Sequence, residues 1–221
     1  MTAAADSPGM AGLRTARVET LADGVFAIAM TLLVLDIRVP LPHDPAHLPE
    51  RLLDLGPNLF SYALSFVVLG VYWVGHHNQY RFIQRADRAF LWINILFLLS
   101  IAFIPFSAGL LAEYPAERLA VAVYGGNLVV VGLVLYLHWW YATSHRLADD
   151  VPPEAARSAA RRILLAPFLY VVAVGLSLWT TRASLTLYVL VPLLYILPAR
   201  IDRHLVGRGS GPGPAKPDGK R

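Results

Sequence analysis

The chain has 221 residues, of which 56% are hydrophobic and 15% charged, with a mean hydropathy of +0.51; that balance excludes an ordinary water-soluble domain and points to a membrane protein with several spans. It contains no cysteine, which excludes disulfides, thiolate metal sites and cysteine nucleophiles. The net charge of +4 and pI near 9.5 fit arginines in cytoplasmic loops better than a nucleic-acid surface.

Residues 1–16 lack the apolar core of a signal peptide, so they read as a short cytoplasmic segment and the first helix itself acts as the insertion signal. That helix is expected over residues 18–37. It carries Asp23 and Asp36 inside or at the edge of the span, and ionisable groups at membrane depth face a protein interior or water. The helix is therefore expected to line something wet. A proline-rich loop follows, with Asp44, Glu50 and Asp54 set against Arg38 and Arg51. The second span starts after Pro57 and runs to about Phe82, and the turn RFIQRADR after it holds Arg81, Arg85 and Arg88. The third span covers 89–111 and contains Asn94 and Pro105, the proline predicting a kink or break near its far end.

The fourth span covers 119–141 and ends in the aromatic run WWY, an interfacial anchor. The stretch PPEAARSAARR predicts a short amphipathic helix leading into a fifth span over 163–179. After the tight turn TTR, a short sixth span over 183–197 is interrupted by Pro192. Residues 201–221 are rich in Gly, Pro and basic residues and predict a disordered tail. No internal repeat is visible, so the fold class is all-α, a polytopic membrane protein with one six-helix unit over 17–200. Arginines concentrate in the N-terminus, the second-to-third and fourth-to-fifth connections, and the tail. Both termini are thus expected on the cytoplasmic side of the cell membrane.

At 1.5 Å of rise per residue, three polar residues share one depth near the cytoplasmic end. Asp23 lies about 9 Å above Arg17, His77 about 6 Å above Arg81, and Asn94 about 9 Å above Arg88. Such groups can satisfy one another's hydrogen bonds, and Trp73, one turn above His77, can donate its indole N–H to the same network. The network reads either as glue between helices or as a proton-responsive element through His77. His76 and His77 point about 100° apart and cannot serve one metal together, so no metal site and no cofactor are expected.

Projected at 100° per residue, Gly24, Ile28, Thr31, Leu32 and Leu35 fall on one face of the first helix and Phe26 on another. Taken alone, an aliphatic stripe of this kind reads first as packing or lipid contact.

The run RVETLADGVFAIAMTLLVLDI resembles the first helix of the transmembrane protein 175 family, the bacterial and endolysosomal potassium channels. The family signature is Arg-x-x-x-Phe-Ser-Asp followed by a helix rich in Ile and Leu. Arg17 and Asp23 match it, while Leu21 and Ala22 stand where the family has Phe and Ser. The WVGHH run, the six spans and the cytoplasmic termini extend the resemblance over about residues 15–200.

The resemblance implies a potassium-selective channel assembled as a homotetramer in membrane lipid, with a central pore lined by the first helix of each subunit. Its constriction would be Ile28, Leu32 and Leu35, with Thr31 as the polar neighbour, and Arg17, Asp23, Trp73, His77 and Asn94 would hold the helix in place. No TVGYG-type filter occurs in the chain, so selectivity would arise at a hydrophobic constriction that also gates by excluding water. Proton conduction through the same pore and proton-coupled secondary transport are the alternatives, although no inverted repeat favours a transporter. No nucleophile and base pair, phosphate loop or metal motif suggests an enzyme.

Overall fold

The computed structural model describes residues 9–38, 47–149 and 151–196, with side chains from residue 15 onward. The expected disordered tail over 201–221 lies outside the described residues, as does most of the proline-rich loop. Eight helices are found among the described residues: α1 (Gly9–Leu32), α2 (Leu48–Asp54), α3 (Gly56–Tyr80), α4 (Arg88–Ala102), α5 (Ile104–Glu113), α6 (Arg118–Ser144), α7 (Pro153–Leu176) and α8 (Thr181–Ile196). A single 3-10 turn, Leu33–Asp36, extends α1. No strand forms among these residues; one isolated antiparallel bridge joins Ile83 and Ala148.

Five segments are long and apolar enough to cross a bilayer: Thr15–Asp36, α3, α4 with α5 taken together, α6 and α7. The sixth, α8, has 16 residues, about 24 Å at helical rise against a hydrocarbon core of about 30 Å. Two boundaries differ from expectation. Helix α1 begins at Gly9, inside the segment read as a short cytoplasmic N-terminus and ahead of the expected start at residue 18, and the proline-rich loop contains the short helix α2.

Local chemistry explains where the helices start and break. Asp87 adopts an extended backbone and its Oδ1 accepts from the Phe90 N–H at 2.8 Å, capping α4. Pro57 and Pro153 sit in the first turns of α3 and α7, where a missing N–H costs nothing. Pro105 has no N–H to give to Ile101, and helix α5 restarts at Ile104 after a break at Phe103.

The main core gathers Ala22, Phe26, Phe97, Tyr124 and Tyr188, among others, where α1, α3, α4, α6 and α8 converge. Close approach between α6 and its neighbours depends on glycine. A Cβ on Gly132 would sit 2.9 Å from Pro167 Cδ of α7, and one on Gly125 would overlap the Tyr188 hydroxyl of α8. Small residues at such crossings let backbones pack where lipid supplies no hydrophobic drive. At the end of the bundle carrying Arg81, Arg85 and Arg88, hereafter the basic end, the two helix connections are clasped together. Gln84 N–H donates to Leu147 O at 3.0 Å, Arg85 pairs with Asp149 at 3.1 Å, and the Tyr141 hydroxyl donates to Asp87 Oδ2 at 3.0 Å.

Candidate ion pathway

Helix α1 has two unlike faces. Val18, Ala22, Phe26, Ala29 and Leu33, spaced four, four, three and four residues apart, are buried against the bundle. The spacing keeps them on one side of the helix. On the other side the structure leaves Ile28 60%, Leu32 43% and Leu35 71% exposed. Thr31, between them, is exposed and donates its hydroxyl back to Ile28 O at 2.9 Å. The five residues grouped by helical projection are thus all exposed, and Phe26, at 1% exposure, points the opposite way.

Leu21 belongs to that face as well. It is 48% exposed and lies one heptad before Ile28, itself one heptad before Leu35. Sequence reasoning had marked Leu21 only as a departure from a signature; the heptad spacing was the signal that places it on the stripe. Ala22, the other departure, is fully buried. Gly24 lies between Leu21 and Ile28 with open space where a side chain would be, so the aliphatic stripe is interrupted there.

Asp23 flanks the stripe at the basic end. Its Oδ1 accepts the indole N–H of Trp73 from α3 at 2.8 Å. The His77 ring stacks on that same indole, centroids 5.6 Å apart and 18° from parallel. Arg17 is exposed and, among the described residues, forms no ion pair with Asp23. Six residues along a helix is 600°, which puts the two on different sides.

The expectation of one network joining Asp23, His77 and Asn94 is corrected by this geometry. Asn94 is buried and bonds the other histidine: His76 Nε2 donates to Asn94 Oδ1 at 3.1 Å. From there a second, buried network continues away from α1. The Tyr80 hydroxyl lies 3.4 Å from Asn94 Oδ1 and 3.3 Å from His138 Nε2, and His138 Nδ1 lies 2.7 Å from Gln79 Oε1. Gln79 uses its amide N–H on Leu135 O at 3.2 Å, so its Oε1 must accept from His138 Nδ1. In the neutral ring Nε2 is then the acceptor for Tyr80. Among the described residues no buried side-chain nitrogen or oxygen lacks a partner. Satisfaction of that kind is what holds polar side chains among apolar helices.

At the opposite end the stripe runs into a cavity of about 820 Å³ lined by Leu32, Leu35, Asp36, Arg38 and Glu113, among others. The Asp36 carboxylate rests against the backbone of Gly109 on α5; a Cβ there would meet Asp36 Oδ2 at 2.9 Å. The exposed aliphatic face thus runs from a polar anchor to a carboxylate-bearing recess.

Residues 17–105 match the profile of the family described as the endosomal/lysosomal potassium channel TMEM175. A potassium channel from Streptomyces collinus is 37% identical over 185 residues, which cover 81% of this chain and 90% of that protein. The crystal structure of a lysosomal potassium-selective channel TMEM175 homolog from Chamaesiphon minutus is similar with a TM-score of 0.75 and 34% identity, covering 83% of this chain and 97% of that one. The endosomal/lysosomal proton channel TMEM175 of Gallus gallus is 39% identical over 110 residues, 46% of this chain and 22% of that protein.

Proposed function

This chain belongs to the TMEM175 channel family, and from that premise we propose that it conducts potassium ions through a pore lined by α1. Four copies place the stripes of Ile28, Leu32 and Leu35 around a central axis, with both termini on the cytoplasmic side of the cell membrane. The observation that carries this reading is the two-faced α1. One side is packed into the bundle, and the other presents large aliphatic side chains beside Asp23 and Thr31 rather than to the chain's own core.

A ring of such side chains excludes water when narrow, so the same residues gate and select. The larger potassium ion sheds its hydration more readily than sodium, which sets the direction of selectivity. Asp23 and Trp73, with His77 stacked on the indole, hold the inner end of α1, while Asn94 braces α3 against α4 through His76.

Flux of potassium from proteoliposomes tests the assignment. Ile28→Asn or Leu35→Asn is expected to raise leak and lower potassium over sodium selectivity, and unchanged flux in both variants overturns it. A mass measurement in mild detergent is expected to give four subunits; a monomer leaves no room for a pore built from one helix per chain. Proton permeation is the second reading, supported by the proton-channel name of the Gallus gallus relative. Current that follows the proton gradient and ignores potassium would favour it.

A further inference from the structure

Between α3, α6, α7 and α8, in the half of the bundle next to the basic end, lies a cavity of about 220 Å³ that takes no part in the proposed pore. Its walls include Val68, Leu135, Ile163 and Val191, and its mouth carries Asn78 and Arg162. From Val68 to Asn78 is ten residues along α3, about 15 Å of depth. No acidic residue lines it. The Arg162 guanidinium lies 5.9 Å from the centre of the Tyr195 ring and, among the described residues, joins no ion pair.

An apolar recess at membrane depth holds water poorly, because a water needs two to four polar partners there. The apolar material at hand is acyl chain. A cationic mouth beside an apolar shaft is complementary to a molecule with an anionic head and an aliphatic tail. The chain's own residues 197–221 are a poor match, with six basic residues against two acidic ones.

We propose that this cavity binds one anionic phospholipid, with an acyl chain in the shaft and the headgroup at Arg162 and Asn78. The site also touches the channel machinery. Tyr72 lines the cavity from α3, and the next residue, Trp73, turned about 100° around the helix, holds Asp23 of α1. The occupant therefore bears on the helix that anchors the pore helix.

Native mass spectrometry of the full-length chain in detergent, with phosphatidylglycerol or phosphatidylcholine added, tests the proposal. The unaltered chain is expected to retain phosphatidylglycerol several-fold more than phosphatidylcholine. Arg162→Gln should abolish that preference and Arg162→Lys should keep most of it, while Ala159→Leu, which narrows the entrance, should lower retention of both lipids. Equal retention of the two lipids by the unaltered chain overturns the site, as does a preference that survives Arg162→Gln. An altered subunit number in Ala159→Leu with lipid retention unchanged would assign the cavity to contact between copies and overturn it too.

Discussion

The Trp73 indole donates to Asp23 Oδ1 at 2.8 Å, and through that bond α3 grips α1 between Leu21 and Ile28 of the aliphatic stripe. Trp73→Phe keeps an aromatic face for His77 but removes the donor. Loss of this partly exposed bond is expected to cost about 1 kcal/mol, read as a lowered melting temperature in detergent. Asp23→Asn keeps an acceptor oxygen and should lose less than Asp23→Ala. Equal losses in the two Asp23 variants would refute the bond's contribution.

The two adjacent histidines should respond very differently. His76 is buried and bonded to Asn94, and it stacks on Phe97 with ring centroids 5.1 Å apart. His76→Leu leaves Asn94 Oδ1 short of a donor and is expected to cost about 1–3 kcal/mol. His77 is exposed, so His77→Phe should stay within about 0.5 kcal/mol. Paired thermal unfolding curves decide it, and a larger effect at His77 would contradict the geometry.

Gly125 admits Tyr188, whose hydroxyl donates to Val121 O at 2.9 Å. Gly125→Ala forces the ring aside and is expected to destabilise by about 1–3 kcal/mol. Because the hydroxyl is the nearest atom, part of that loss should disappear in a Tyr188→Phe background, a non-additivity that a double-mutant cycle measures. Val174 also crowds the position, so the rescue should be incomplete.

Asp36 lines the recess into which the stripe opens. If that recess is the mouth of the pore, its carboxylate raises the local cation concentration. Asp36→Asn is then expected to lower potassium flux at about 0.01 M salt and to have little effect near 1 M, where the screening length has shrunk from about 30 Å to about 3 Å. Flux that is insensitive to salt in both proteins would remove Asp36 from the mouth.

The helices were readable because a bilayer demands long apolar stretches, and Pro105 betrayed the α4 to α5 break because a missing N–H cannot be hidden. Helix α2 was not readable: LPERLLD is seven residues long, packs no buried side chain and sits in a run of prolines. The site was legible in one dimension. Counting residues from the basic turns gives height along a helix, and at equal height His76 and His77 are nearly indistinguishable. Azimuth separates them, since the 100° between them decides which one enters the bundle. His138, six residues before the end of α6, lies at the same level and could have been found by the same count. Its bond to Gln79 could not, because that depends on how α3 and α6 are rotated against each other.

The clasp at the basic end joins the connections of α3, α4, α6 and α7, whereas α1 is gripped by its neighbours from one side alone. If α1 lines the proposed pore, its folding and the association of copies merge into one equilibrium. In the proposed assembly other copies complete its free face, so the order of α1 would rise with the density of chains in the membrane. Abundance would then act as a control of its own, with sparse chains inserted but silent and crowded chains conducting.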